Sequence, residues 1–440
     1  MLKATAFASL LVALLSTERV ATQVSPLEKR LAEIAAMVCA NPDGFEGTFE
    51  PEFLKAVPKA QLQQICAQLF QACGRVVETR KSQSLSEHSG VFEFSCEKGL
   101  EYTVKLSVAG FEPHRVVELY FAPPRAKVKS FEDVVSQIEE LPGEVSFVVA
   151  ELPSPQQREM KLLASHEPEL QLALGSAFKL FILGALVEEI EQGKRKWSDV
   201  VRIRDEWKSL PSGVLHQWPV GSPVTLHTLA TQMISISDNT ATDHLLFELG
   251  RERVESMLPR MGVGSTEKTL PLLSTLEMFK LKSRGLAAVR KSYREADAAK
   301  RREILQKEIT PLKRAEIDMS EFGPKPIAVS SIEWFASARE MALVMAWLRD
   351  HSRSEAGIAA REILAVNPGV PSDRATFSYQ GFKGGSEPGV LNLTVLLETP
   401  AGAAYAVVAT WNHTKQTVDE AKLLGIVQGT MQLLKKGSTK

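Results

Sequence analysis

Three short polar motifs in this chain carry the residue types of a nucleophilic site. Ser176 and Lys179 open the apolar run GSAFKLFILGALVEEI, residues 175–190. On a helix, residues three apart share a face, so the Lys179 amine lies beside the Ser176 hydroxyl. A serine is a weak nucleophile until an adjacent base takes its proton, and a lysine is that base only if burial or a nearby cation lowers its pKa. The amino end of the helix also favours negative charge developing at Ser176. The same S-x-x-K spacing recurs at Ser95–Lys98 and Ser265–Lys268, but Ser95 falls in an alternating strand pattern and Ser265 in a Gly-rich loop. Alone, the Ser176–Lys179 pair would better describe a core lysine hydrogen-bonded in place.

The second motif is Ser237-Asp238-Asn239, between two apolar helical stretches. In isolation it reads as a helix cap, a position all three residue types favour. The third, Lys383-Gly384-Gly385-Ser386, precedes a strand, and its glycines would let a backbone approach a ligand closely. In isolation it reads as a tight hairpin.

Taken in this order, S-x-x-K, S-D-N and a K-x-G strand resemble the signature set of class A β-lactamases and penicillin-binding proteins. The resemblance runs from about Glu144 to the end, with GSAFK, SDNTA and a W-N-H strand in the matching contexts. It implies Ser176 as the acylated nucleophile, Lys179 as its base or proton shuttle, and Ser237 as a proton relay to the leaving group. It further implies that Asn239 contacts the substrate and helps hold Lys179, and that Lys383 supplies positive charge and depresses the Lys179 pKa. Gly385 and Ser386 would lie against the substrate, the backbone N–H groups of Ser176 and Ser386 forming an oxyanion hole.

Two features depart from that set. The third motif is K-G-G rather than K-T-G, so residue 384 lacks the hydroxyl the family places near the substrate carboxylate. The E-x-x-L-N motif, whose glutamate activates the deacylating water in class A enzymes, is missing. Glu277, Glu333 (beside Trp334 and Phe335) and Lys179 are the candidates for that task. Together with the domain in front, this layout resembles the two-domain serine hydrolases of the clavulanic-acid-cluster cephalosporin esterase type. That resemblance implies hydrolysis of esters or of poorly handled β-lactams. A penicillin-binding D,D-peptidase, or a sensor that acylates once and stays acylated, are the competing readings.

The elements that must position these residues are legible in outline. At 440 residues and 44% hydrophobic, the chain can bury large cores and supports two or three domains. The expected class is α+β. Residues 23–123 read as a small accessory domain: helices at 27–38 and 59–72, then strands at 75–79, 90–95, 100–108 and 115–121 with apolar–polar alternation. That order resembles a ketosteroid-isomerase-like cone. Residues 124–143 read as a linker with a connecting helix near 131–141. Residues 144–440 read as the β-lactamase/transpeptidase-like domain, an antiparallel sheet flanked by helices with a helical subdomain inserted. Its expected elements include strands at 144–152, 390–398 and 404–411 and a last helix at 418–435. The charge-rich segment 282–320 reads as a solvated helical arm.

At the amino terminus, Lys3, the apolar run Ala4–Leu15 and the polar stretch Ser16–Arg19 have the layout of a secretory signal peptide over residues 1–22, which implies export without a stable membrane anchor; a buried N-terminal helix is the alternative. Cys39, Cys66, Cys73 and Cys96 fit either disulfides or buried thiols. A net charge of −1 gives no field toward nucleic acid or an anionic membrane. The eight histidines fall singly, with His413 either at the site rim or at a strand end, so no metal and no cofactor are expected. The expected partner is a small-molecule substrate: a β-lactam, an ester or a cell-wall peptide.

Overall fold

A computed structural model describes residues 25–122, 124–153, 159–264, 266–318, 320, 322–370, 372 and 376–437. The signal-peptide segment and Ser265 therefore lie outside the described residues. The described chain forms two compact units, one of residues 25–97 with 103–122 and one of residues 98–102 with 124–437.

In the first unit the helix Pro26–Met37 begins at a capping box, Ser25 accepting from the Glu28 amide while the Glu28 carboxylate accepts from Ser25. The helix Lys59–Cys73 follows. An antiparallel sheet then runs in chain order through Val76–Ser84, Ser89–Cys96, Leu100–Val108 and Val116–Phe121. Its two middle strands bury every second residue, Phe92 and Phe94 on one, Val104 and Leu106 on the other. The first strand runs five residues past its expected end because it continues to pair up to Ser84, opposite Gly90. Cys66, Cys73 and Cys96 are buried and Cys39 half-buried.

The second unit is built on a five-stranded antiparallel sheet. Its order is Tyr379–Glu387, Val390–Glu398, Ala404–Asn412, Glu144–Glu151, Lys161–His166. The strand carrying Lys383 is thus an edge, with one side unpaired in the ladder. Residues 124–143, expected as a linker, pack into this unit: the helix Phe131–Glu139 buries Val134 and Ile138. The helix Lys179–Glu191 is apolar all round and correspondingly enclosed, burying Lys179 through Glu189.

The 282–320 segment is more than a solvated arm. It folds into the helices Ala287–Glu295 and Ala298–Ile304 and a following turn, Leu305–Ile309. Four of its apolar residues, Tyr293, Ile304, Leu305 and Ile309, are buried in the main core, and Leu286, Val289 and Ala296 pack against it. Lys282, at its start, is buried in an ion pair with Glu333 at 2.6 Å and a second with Glu387.

Candidate active site

The segment entering Ser176 is clamped from two sides. Phe335 and Ala336 pair with Ala173 and Leu172, and the Asn412 side-chain amide accepts from Ala173 N at 2.7 Å and donates to Ala173 O at 3.0 Å. Gly175 then turns the chain in the left-handed region (φ 52°), and a 3₁₀ turn, Gly175–Phe178, leads into the helix at Lys179. The Phe178 ring stacks on Trp334 at 3.7 Å, with the rings nearly parallel. Ser176 therefore sits on a turn whose backbone is held before and after it.

Lys179 is fully buried. Its Nζ lies 2.7 Å from Ser237 O, 2.7 Å from Asn239 Oδ1 and 3.1 Å from Ser237 Oγ. Burial foremost, and the Lys383 charge next, hold the Lys179 pKa well below the usual lysine range. A neutral amine has two N–H donors and one lone pair. Donation to Ser237 O and Asn239 Oδ1 leaves the lone pair for a hydroxyl proton.

Ser237 adopts a positive φ of 58°, which a non-glycine residue rarely does, and its Oγ accepts from Lys383 Nζ at 3.1 Å as well. Asp238 stays out of the reacting group. It caps the helix Asn239–Leu249 through Ala241 N and accepts from Val214 N and Leu215 N at 2.6 and 2.8 Å. It thereby holds the loop whose Ser212 hydroxyl donates to Ser237 O. Asn239 has its amide engaged at both ends, its Nδ2 donating to Leu210 O at 3.1 Å.

Lys383 is 3% exposed, and burial pulls its pKa down to about 7. Beyond it, Gly385 meets the nucleophile turn backbone to backbone. A Cβ on Gly385 would fall 2.1 Å from Leu174 O, 2.5 Å from Ser176 N and 2.8 Å from Ala177 N, and one on Gly175 would fall 3.1 Å from Ser386 N. Two facing glycines thus bring the amides of Ser176 and Ser386 to one place. A cavity of about 350 Å³ opens there, lined by Ser176, Ser212, Ser237, Asn367 and the strand from Phe382 to Ser386, with Ile234, Ile236, Leu391 and Leu393 as apolar walls.

The remaining candidates lie elsewhere. Glu277 closes a capping box with Ser274 and makes a bidentate pair with Arg251 at 2.7 and 2.9 Å. Glu333 is buried on Lys282. Neither lines the cavity. His413 caps a turn at the strand end, its Nδ1 accepting from Lys415 N and Gln416 N. Ser95 lies in a strand of the first unit. Among the described residues, Glu188, Glu191 and His351 are close enough to hold a cation, but they stand at the far end of the nucleophile helix, and Arg260 already occupies Glu188 at 2.6 Å. Sequence reading missed Gly175, Asn412 and Phe382. The GSAFK context contained Gly175 and the W-N-H context Asn412, without a role for either.

In solved structures the chain is similar to a β-lactamase from Sphaerobacter thermophilus (22% identity over 69% of this chain and 96% of that one, TM-score 0.47). It is also similar to a β-lactamase from Chitinophaga pinensis (15%, 70% and 98%, 0.47) and to a PBP-A variant acylated by penicillin G (15%, 70% and 96%, 0.46). No curated protein sequence matches. The profile of the Beta-lactamase enzyme family matches residues 128–427, well over half of the chain and all three motifs. The residues gathered around Ser176 are therefore those of a member, and this protein belongs to the Beta-lactamase enzyme family.

Proposed function

We propose that this protein is a serine hydrolase that works through an acyl-enzyme on Ser176 and acts on β-lactam-type amides and small esters. The observation that carries this reading is the buried Lys179 amine, held toward its neutral form one helical turn from Ser176. Lys179 takes the Ser176 proton as Oγ attacks the carbonyl carbon. The amides of Ser176 and Ser386 receive the oxyanion, an interaction worth about 10²–10³-fold per donor. As the C–N or C–O bond breaks, the Ser237 hydroxyl passes a proton to the departing nitrogen or oxygen. Water then cleaves the acyl ester. Glu277 and Glu333 are committed elsewhere, and Lys179 with the Ser237 relay activates it.

The first unit, helices followed by a four-stranded antiparallel sheet, is read as a ketosteroid-isomerase-like accessory module. The basic, apolar and polar order of the first residues supports export. Among the described residues no helix is long and apolar enough to cross a membrane.

Intact-mass measurements over time with a chromogenic cephalosporin and an acetyl ester test the reading. A transient adduct on Ser176 is expected. A permanent adduct means a sensor or binding protein instead, and no adduct with either compound overturns the hydrolase.

A further inference from the structure

We propose that this active site selects substrates bearing an uncharged, apolar group beside the scissile bond, where penicillins and cephalosporins carry a carboxylate, and that Phe382 is the residue that sets this preference. The inference rests on the hydrolase reading above and specifies its substrate class.

Side chains alternate along the edge strand, so Phe382, Gly384 and Ser386 share one face while Lys383 and Gly385 share the other. Residue 384 has no side chain, and the space beside it is already taken. A Cβ there would fall 2.8 Å from Cζ of Phe382 and 3.1 Å from Asn392 O. The ring also lies against Gly369, where a Cβ would come within 2.1–2.4 Å of three ring atoms. The Phe382 ring thus packs against both glycines, and it covers the ground from which a residue-384 hydroxyl would reach a substrate.

Directly across the ladder from Gly384 stands Leu393, and across from Ser386 stands Leu391. Both line the cavity. A carboxylate placed here would lose its water against a ring and two leucines, with the Ser386 hydroxyl the donor this face of the strand offers in return. The charges that line the cavity among the described residues do not offset this. Lys383 Nζ is buried and turned to Ser237 Oγ and Gly384 O, and Glu420 would repel an anion. An ester or another neutral group meets none of these penalties and gains contact with the ring.

The test is a chromogenic cephalosporin with its ring carboxylate free and the same compound with that carboxylate capped as a methyl ester. The chromophore reports lactam opening alone, so loss of the cap is not counted. The capped compound is expected to acylate the wild-type protein about tenfold or more faster. In the doubly substituted Phe382→Ala, Gly384→Thr protein the ratio should fall toward one or invert. Equal or faster acylation by the free acid in the wild type overturns the proposal whatever the variant does. An unchanged ratio in a folded double variant removes Phe382 from the role. Acylation by neither compound, nor by an acetyl ester, defeats the hydrolase reading and this inference with it. Turnover of the ester alongside a preference for the free acid defeats the inference only.

Discussion

Lys179 and Lys383 meet at a single oxygen: the Ser237 hydroxyl is 3.1 Å from the Nζ of each. Two buried ammonium groups sharing one hydroxyl cannot both stay charged at neutral pH without strong mutual repulsion. Burial draws both pKa values down, Lys383 to about 7, and the Lys383 charge pushes Lys179 lower still.

This coupling has a signed consequence. Below about pH 7 Lys383 is charged and helps keep Lys179 neutral. In Lys383→Ala that help is gone, the Lys179 pKa rises, and less free amine is present on the acid side. Acylation by Lys383→Ala should therefore fall most at about pH 6 and least at about pH 9, its acid limb moving to higher pH. A loss of equal size across that range would leave Lys383 a binding role only.

Ser176→Ala should abolish covalent labelling by a fluorescent penicillin, while Ser95→Ala labels normally. Ser95 lies in a strand of the other compact unit. Labelling that persists in Ser176→Ala would place the nucleophile elsewhere.

Gly385→Ala tests the oxyanion hole without touching a polar group. The added methyl would overlap Leu174 O, Ser176 N and Ala177 N, all backbone atoms that no rotamer change can move aside. The strand edge must retreat from the nucleophile turn, so the acylation rate should drop by about 10²-fold or more while the thermal transition stays cooperative. Near wild-type acylation would show that the Ser386 amide is not a donor to the oxyanion.

Much of this site was legible because it is local in sequence. A serine and a lysine three apart, a polar tripeptide between apolar helices and a paired glycine before a strand each announce themselves within a few residues. The parts that could not be read are made by chain pairing. Asn412 grips Ala173 from 239 positions away. Lys282 joins Glu333 and Glu387 from two further segments. Composition made 282–320 look solvated, since its four core residues form no run. They reach the core because the helices turn them to one side. Phe382 stood in plain view, yet only the ladder and the Gly369 loop show where its ring goes.

The Lys282, Glu333 and Glu387 cluster gives the fold its own pH dependence. Burial foremost, with the Glu333 charge next, raises the Glu387 pKa to about 8, against about 4.3 for an unfolded glutamate. The folded state then binds more protons than the unfolded state between those values, so stability falls as pH rises through that window. Glu387→Gln imitates the protonated acid and cannot lose its proton. From about pH 6 to 9 its urea midpoint should decline less than that of the wild type. Parallel midpoint curves for the two proteins would refute the assignment.

Turnover is the last consequence, and it follows from where the two candidate glutamates lie. Deacylation needs water activated beside the acyl carbonyl, yet Glu277 is locked on Arg251 and Glu333 on Lys282. General-base assistance is typically worth about 10²–10⁴-fold, so acylation should outrun deacylation wherever the adduct also hinders water. After β-lactam opening the amine stays tethered to the adduct and occupies the approach to the carbonyl. After ester cleavage the alcohol leaves altogether. Small acyl esters should therefore turn over repeatedly, while penicillins give a burst of one equivalent and then a slow phase. Rapid-mixing measurements at several enzyme concentrations will show the burst amplitude tracking the enzyme. Burst-free penicillin hydrolysis as fast as ester cleavage would mean that a competent base is present after all, and loss of that hydrolysis in Glu333→Gln or Glu277→Gln would name it.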